Sequence, residues 1–482
     1  MDTNVAARFA AGMVATMLLI VPALWNGFPL LFYDTGAYLG RAFFDTLSPG
    51  RSAAYGFFLG AGRWPNFWPV VIAQSFISVW TVALFLRAEN LGGRPVLLVV
   101  LFAIFAATTS LPWLAGQLMP DVFTGLSVLA LYLLVFRADA LARWEHMALT
   151  ALIAFAAAGH NATLAVLLVL LLAGVAVRLF RPQLMPSIGL ARVTAALVLG
   201  AALLLAANFA VTGRILWTQG GTALVFSRLV QNGIVHRFLA DNCPNPQYEL
   251  CKYRAQLPHH ANDFLWHQGD KGPFAAIGSF DGGAQEMREI AWQSVWQYPG
   301  MHISTALRST LEQLFAVGTG WGVVYDVWDA YGHIENLTPE AVPAAHSARQ
   351  RLDQLPFETI NRLHVPVAWL SMAAVALFLL LAWLRRDFAR LSPLAATTGA
   401  ALLANAFVCG ALSNPHDRYG ARIVWIATLL LAVAVARALP VARRVRHIPA
   451  GQVLVRPELP VLPSEIAPGE IPAPPQRAPI DG

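Results

Sequence analysis

Four short stretches of this chain gather side chains that could do chemistry. The first is Phe32-Tyr33-Asp34-Thr35-Gly36-Ala37-Tyr38-Leu39, continuing through Arg41 and Asp45 to Arg51-Ser52-Ala53-Ala54-Tyr55-Gly56. The second is Gln117-Leu118-Met119-Pro120-Asp121, and the third is Gly159-His160-Asn161. The fourth is Ser413-Asn414-Pro415-His416-Asp417-Arg418-Tyr419-Gly420, followed by Arg422. A carboxylate beside an apolar boundary can take a proton from an acceptor hydroxyl or hold a divalent cation (Mg, Mn or Zn). Histidine and arginine beside it can grip an anionic head group such as a phosphate. Each stretch also has a plainer reading. Asp34 and Asp121 each stand where a helix begins and could cap it. His160 could be solvated in its turn, and Asp417 could pair locally with Arg418 or Arg422.

These residues must be positioned by apolar elements. Of 482 residues, 57% are hydrophobic and 12% charged, against about 25% charged in a soluble domain. Long apolar runs point to an all-α polytopic membrane protein, and the roughly ten-residue alternation of a membrane β-barrel is missing. About ten spans are expected, at 9–28, 67–86, 95–113, 122–136, 146–159, 162–179, 190–212, 365–384, 392–413 and 421–440. The first has Arg8 ahead of it and no small-residue cleavage site after it, so it reads as an anchored helix rather than a leader.

The net charge of +6 is carried by arginine, with Lys252 and Lys271 the only lysines. Arg87, Arg94, Arg137, Arg143, Arg178, Arg181, Arg385, Arg386, Arg390, Arg437, Arg443, Arg444 and Arg446 all fall on one side of the expected topology. By the positive-inside bias that side is cytoplasmic, as are both termini. No basic cluster with interleaved aromatics suggests nucleic acid. The four polar stretches then share the outer face. So does the segment 213–364, where Cys243 and Cys251 flank a Pro-rich stretch and suggest a local disulfide in an oxidising compartment. A zinc site there lacks two further ligands. Arginine-rich, alanine-rich usage suggests a bacterial inner membrane.

The expected organisation is an N-terminal membrane module over 1–212, with a first outer loop at 29–66 folded as interfacial helices. A periplasmic domain follows over 213–364, then a C-terminal membrane module over 365–448. The tail over 449–482 is Pro-rich and reads as disordered and cytoplasmic.

At Asp34, in Tyr-Asp-Thr-Gly-Ala-Tyr-Leu, and Asp121, in Met-Pro-Asp, the sequence resembles the GT-C superfamily of integral-membrane glycosyltransferases. The large outer insertion is similar too, as is the helix start Tyr298-Pro299-Gly300 with Leu307, Arg308 and Phe315. The resemblance implies a GT-C-like fold and transfer of a sugar from a polyprenyl-phosphate-linked donor to a glycan, lipid or protein acceptor. Asp34 would be the base, and Asp121 would bind a metal ion or orient the acceptor. Tyr33, Tyr38, Arg41, Arg51, His160, His416, Asp417, Arg418 and Arg422 would line the substrate site by location.

Three other classes compete. An O-acyltransferase would use His160 or His416 as base, but would favour a histidine deep in the bundle. A transporter or flippase would place ionisable groups at mid-membrane, where the sequence offers mainly Gln74, Asn208 and Asn405. An assembly protein would act through its outer segment.

Overall fold

The structure, a computed structural model, describes residues 3–43, 49–267, 269, 272–384 and 392–438. Asp45, Arg385, Arg386, Arg390, Arg443, Arg444, Arg446 and the tail from 449 lie outside the described residues, and so does the side chain of Arg41. Among the described residues regular structure is helical, with one isolated parallel bridge between Leu30 and Gln117 and no strand.

Among the described residues seven helices are long and apolar enough to cross a membrane: Val5–Asn26, Trp68–Ala88, Asn161–Phe180, Ser187–Thr212, Phe357–Leu384, Ser392–Ala411 and Asp417–Ala438. Helix is the form such sequences take because every backbone N–H and C=O is satisfied within the segment. Large apolar side chains point outward, with Phe180 and Trp383 each 82% exposed. That is costly in water and suits a multi-pass protein whose solvent is lipid.

The other three expected spans are shorter helices, and only the run 95–113 departs from its expected bounds by more than a few residues. The run 95–113 breaks at Thr109, leaving Pro95–Thr108 at 14 residues and a separate turn, Leu111–Ala115. Val122–Phe136 has 15 residues and Arg143–Gly159 has 17. Hydropathy counts apolar residues without saying what they face. Val122 through Val135 are all buried, so neighbouring helices surround this one, and it need not match the full hydrocarbon thickness.

The first loop does hold two helices, Thr35–Phe43 and Ala53–Ala61. Each packs one face inward, Tyr38, Leu39, Tyr55 and Leu59 being 0% exposed, while Phe57 stands out at 43%. Helix Trp328–Leu337 lies over the first of them. A Cβ built on Gly36 would sit 2.7 Å from the Ala330 nitrogen, so only glycine admits that approach.

The segment 213–364 divides between two apolar clusters. Ala223, Phe226, Phe238, Phe264, Met287 and Ile290 form one with their neighbours, and the half-buried Cys243 and Cys251 pack against it. These cysteines are disulfide-bonded. Val317, Tyr331, Ile334 and Ala345 instead join the cluster of the long helices. Helix Pro299–Phe315 turns Ser309 and Gln313 inward and leaves Ile303, Leu307, Leu311 and Phe315 exposed. That four-residue spacing is one helical face, of the kind that lies on a lipid boundary.

Acidic residues organise the end opposite Asp34. Glu89, 1% exposed at its side chain, accepts from Arg137 Nε at 2.7 Å and Tyr132 Oη at 2.6 Å, and also pairs with Arg437. Glu145 accepts from Arg87 at 2.8 and 2.5 Å.

Candidate functional site

The Leu30–Gln117 bridge is what brings the first two polar stretches together. Leu30 N donates to Gly116 O and Leu118 N to Leu30 O, each at 2.9 Å. Thr35 Oγ1 donates to Leu118 O at 3.2 Å and accepts from Phe32 N at 3.0 Å. Gln74, a polar residue inside an apolar helix, fixes the partner strand of chain. Its Nε2 donates to Ala115 O at 3.0 Å and Gln117 O at 2.8 Å, while its Oε1 accepts from Tyr55 Oη at 2.9 Å. On the other side Gln350 donates to Leu31 O at 2.8 Å and Val324 O at 2.9 Å, and accepts from Leu31 N at 2.9 Å.

The fourth stretch is seated by Gln313, which donates to His416 O at 3.0 Å and accepts from His416 N at 2.9 Å. Asp417 accepts from Gly318 N at 2.8 Å rather than pairing with Arg418 or Arg422. It thereby starts the last helix, Asp417–Ala438, and turns both arginines inward.

Arg418 is the hub. Its Nε and Nη2 meet Asp121 Oδ1 and Oδ2 at 3.0 and 2.9 Å, and its Nη1 meets Asp34 Oδ2 at 2.8 Å. The other Asp34 oxygen takes Arg51 Nη2 at 2.5 Å. Arg418 also lies 4.2 Å over the Phe32 ring. Below it, fully buried Arg422 is 3.6 Å from Asp121 Oδ1. Its donors go to Asn405 Oδ1 at 2.9 and 3.2 Å, to His160 Nδ1 at 3.1 Å and to Cys409 Sγ at 3.1 Å. Thr163 Oγ1 adds a contact to His160 Nδ1 at 3.1 Å. Asp121 stands at the N-cap of Val122–Phe136, yet its side chain makes no capping bond. Its oxygens serve the arginines instead.

Burial alone would raise both carboxyls. For Asp34 the charges of Arg51 and Arg418 more than offset that, and it is held below the usual carboxylate range. Asp121 is held far below it by Arg418, with His160 and Arg422 adding to the effect. Burial and the charge of Arg422 push His160 down to about 3, so it is neutral and a weak base. Burial and Arg418 bring His416 down to about 4.

Two donors in this cluster are left over. Tyr38 Oη and Arg51 Nε are buried and have no hydrogen-bond partner among the described residues. The charges of Arg51, Asp34, Arg418 and Asp121 all act on Tyr38, whose pKa is raised, chiefly by burial. Unmet donors beside guanidinium groups suit an oxyanion. A divalent cation fits poorly: the guanidinium of Arg418 already lies between Asp34 and Asp121, and both Asp121 oxygens are bound to it. Among the described residues no group of three or more His, Cys, Asp or Glu could hold a metal ion.

Tyr33 and His416 are set apart from the carboxylates. Tyr33 is 50% exposed, 6.4 Å from the Trp321 ring, and His416 stacks on Trp321 at 3.9 Å. Trp321 stands between Gly320 (φ +90°) and Gly322 (φ +80°), whose Cβ atoms would fall 2.3 Å from Phe357 and 2.0 Å from Phe32. A hollow of about 560 Å³ opens here, lined by Tyr33, Trp321, Tyr325, Asp326, Asp353 and Phe357 among others. Sequence reasoning missed this loop, although three glycines around Trp321 in Gly318-Thr319-Gly320-Trp321-Gly322 were a signal. It also missed Gln313 and Gln350, which carry no signal of their own. It noted Asn405 without its partner Arg422.

The chain matches no protein-family model, no curated protein and no solved structure.

Proposed function

We propose that this protein is a membrane-embedded transferase of the GT-C type, moving a sugar from a polyprenyl-phosphate-linked donor to a glycan, lipid or protein acceptor at the Asp34 end of the bundle. The observation that carries the reading is the Arg51–Asp34–Arg418 bridge with unmet donors on Arg51 Nε and Tyr38 Oη beside it. A phosphate competes with Asp34 for both guanidinium groups. Once it takes them, Asp34 loses the charges that keep it a weak base.

Asp34 then accepts the proton of an acceptor hydroxyl. The acceptor oxygen forms a bond to the anomeric carbon as the bond from that carbon to the phosphate oxygen breaks. The polyprenyl phosphate leaves with the electron pair, neutralised by Arg51 and Arg418. Asp121 is a positioning residue, since its bidentate pair sets the plane of Arg418. The hollow beside Tyr33 and Trp321 offers aromatic faces and the carboxylates of Asp326 and Asp353 to the acceptor.

The test is release of polyprenyl phosphate and labelled product by the full chain in lipid nanodiscs, supplied with undecaprenyl-phosphate sugars and a glycan or lipid acceptor. Turnover by the parent chain with a loss of about 10²–10⁴-fold in Asp34→Asn supports the reading. Turnover that survives Asp34→Asn removes Asp34 as base. An inert parent chain across donor sugars leaves Arg418 as a structural clamp only.

A further inference from the structure

A second cavity lies at the opposite end of the bundle from Asp34, near the Arg87–Glu145 pair. It measures about 490 Å³ and is walled by the first helix, Trp68–Ala88, Pro95–Thr108 and Arg143–Gly159. Its floor is apolar, with Ala11, Leu84 and Leu98, and its rim carries Arg8, Arg87 and Arg94.

The rim charges are not equivalent. Arg87 is clamped by Glu145, whose side chain is 3% exposed and whose second task is to accept from Ala142 N at 2.7 Å. Arg8 and Arg94 have no acidic partner among the described residues, so two positive charges stand uncompensated over an apolar hollow. Trp80 and Trp144 flank it, their rings 6.1 Å apart, and Trp144 is 58% exposed. Paired indoles beside arginines mark the level where head groups lie. Gly92 keeps the connecting turn close, since a Cβ there would fall 2.7 Å from Arg87 Cα. A Cβ on Gly93 would meet nothing within 4 Å, so the mouth stays open.

We propose that this cavity binds the phosphate of an anionic membrane lipid, with Arg8 and Arg94 on the phosphate and the acyl chains entering over Ala11 and Leu98. Guanidinium groups suit phosphate oxygens because they present paired donors. The apolar floor distinguishes a lipid from a free phosphate, which would leave that surface wet. The site is independent of the transferase reading.

Native mass spectrometry of the full chain in an uncharged detergent tests this, with phosphatidylglycerol and phosphatidylcholine offered at equal concentration. About one kcal/mol for each of the two arginines predicts roughly thirtyfold more phosphatidylglycerol adduct. The double variant Arg8→Gln, Arg94→Gln should bind the two lipids alike, while Arg8→Lys, Arg94→Lys should keep most of the preference. Arg178→Gln, which removes an arginine held by Met185 O at 2.8 Å, should change nothing. Equal binding by the parent chain overturns the proposal, as does a preference that survives the double glutamine variant or falls with Arg178→Gln. Inorganic phosphate displacing the lipid at equal concentration would identify the ligand as the free anion and overturn the lipid assignment.

Discussion

Arg418 and Asp121 are 297 positions apart and meet through two parallel hydrogen bonds, 3.0 and 2.9 Å long, in a site where Arg418 is 8% and Asp121 1% exposed. Few arrangements tie a helix start near the C-terminus so firmly to a loop in the first third of the chain. Removing one partner strands the other. Breaking a buried pair costs about 3–5 kcal/mol, and Arg418→Ala strands Asp34 as well. The expected outcome is a large fall in thermal midpoint in detergent, with Arg418→Ala, Asp121→Ala together costing less than the sum of the singles.

Asp34 behaves differently because it lies nearer solvent, 17% exposed at its side chain. Asp34→Asn keeps an acceptor for one of the two arginines and should cost about 1.5–3 kcal/mol. The thermal midpoint should therefore move less than in Asp121→Ala, while transfer is lost. A variant that unfolds outright would place Asp34 with Asp121 as a structural group.

His160 makes acid stability a measurable property of the site. Its pKa falls from 6.5 to about 3 on folding, so below pH 6.5 the unfolded chain binds the proton first. Stability therefore drops as pH falls from 6.5 toward 3, by about 2 kcal/mol at pH 5. His416, lowered to about 4, adds to the same slope. The lowered carboxyls Asp34 and Asp121 contribute stability above their ordinary value, 3.8. Their share is lost only at more acid pH. His160→Gln should flatten the dependence of the thermal midpoint between pH 6.5 and 4, and an unchanged slope would refute the buried neutral imidazole.

The Cys243–Cys251 bond closes a short loop, with a sequence separation of 8. Loop-closure entropy gives about 2–3 kcal/mol for such a length. Peptides spanning 243–251 should shift on reduction, and Cys243→Ser, Cys251→Ser should speed proteolysis within 221–298 while leaving the long helices protected. Free thiols at Cys243 and Cys251, as distinct from the free Cys409, would count against it.

Gly322→Ala tests the loop that carries Trp321. Its φ of +80° and a Cβ 2.0 Å from Phe32 leave no room for a methyl group. Strain of about 1–3 kcal/mol should appear, together with altered Trp321 fluorescence, because Phe32 also supports Arg418.

The sequence made legible what hydropathy and charge can encode. Asp34, Asp121, His160, Arg418 and Arg422 were visible as polar residues at the ends of apolar runs, and the disulfide followed from two cysteines around prolines. Pairing was not legible. Nothing local says that Arg418 turns toward Asp121 rather than its neighbour Asp417. That choice is made by Gly318 N, which occupies Asp417 first. The run 95–113 reads as one span because hydropathy does not mark the break at Thr109, and that Leu126 and Leu129 face protein rather than lipid is equally silent in hydropathy. The two helices of the first loop were legible, but the cover that Trp328–Leu337 lays over Thr35–Phe43 was not, because nothing in either segment announces the other.

The last helix is bolted at both ends. Arg418 is tied to Asp121 and Asp34 at one, and Arg437 to Glu89 at the other. At about 1.5 Å per residue these fastenings are roughly 28 Å apart, close to the thickness of a hydrocarbon core of about 30 Å. A rod pinned at that spacing cannot slide or screw along its axis without breaking ion pairs at both ends.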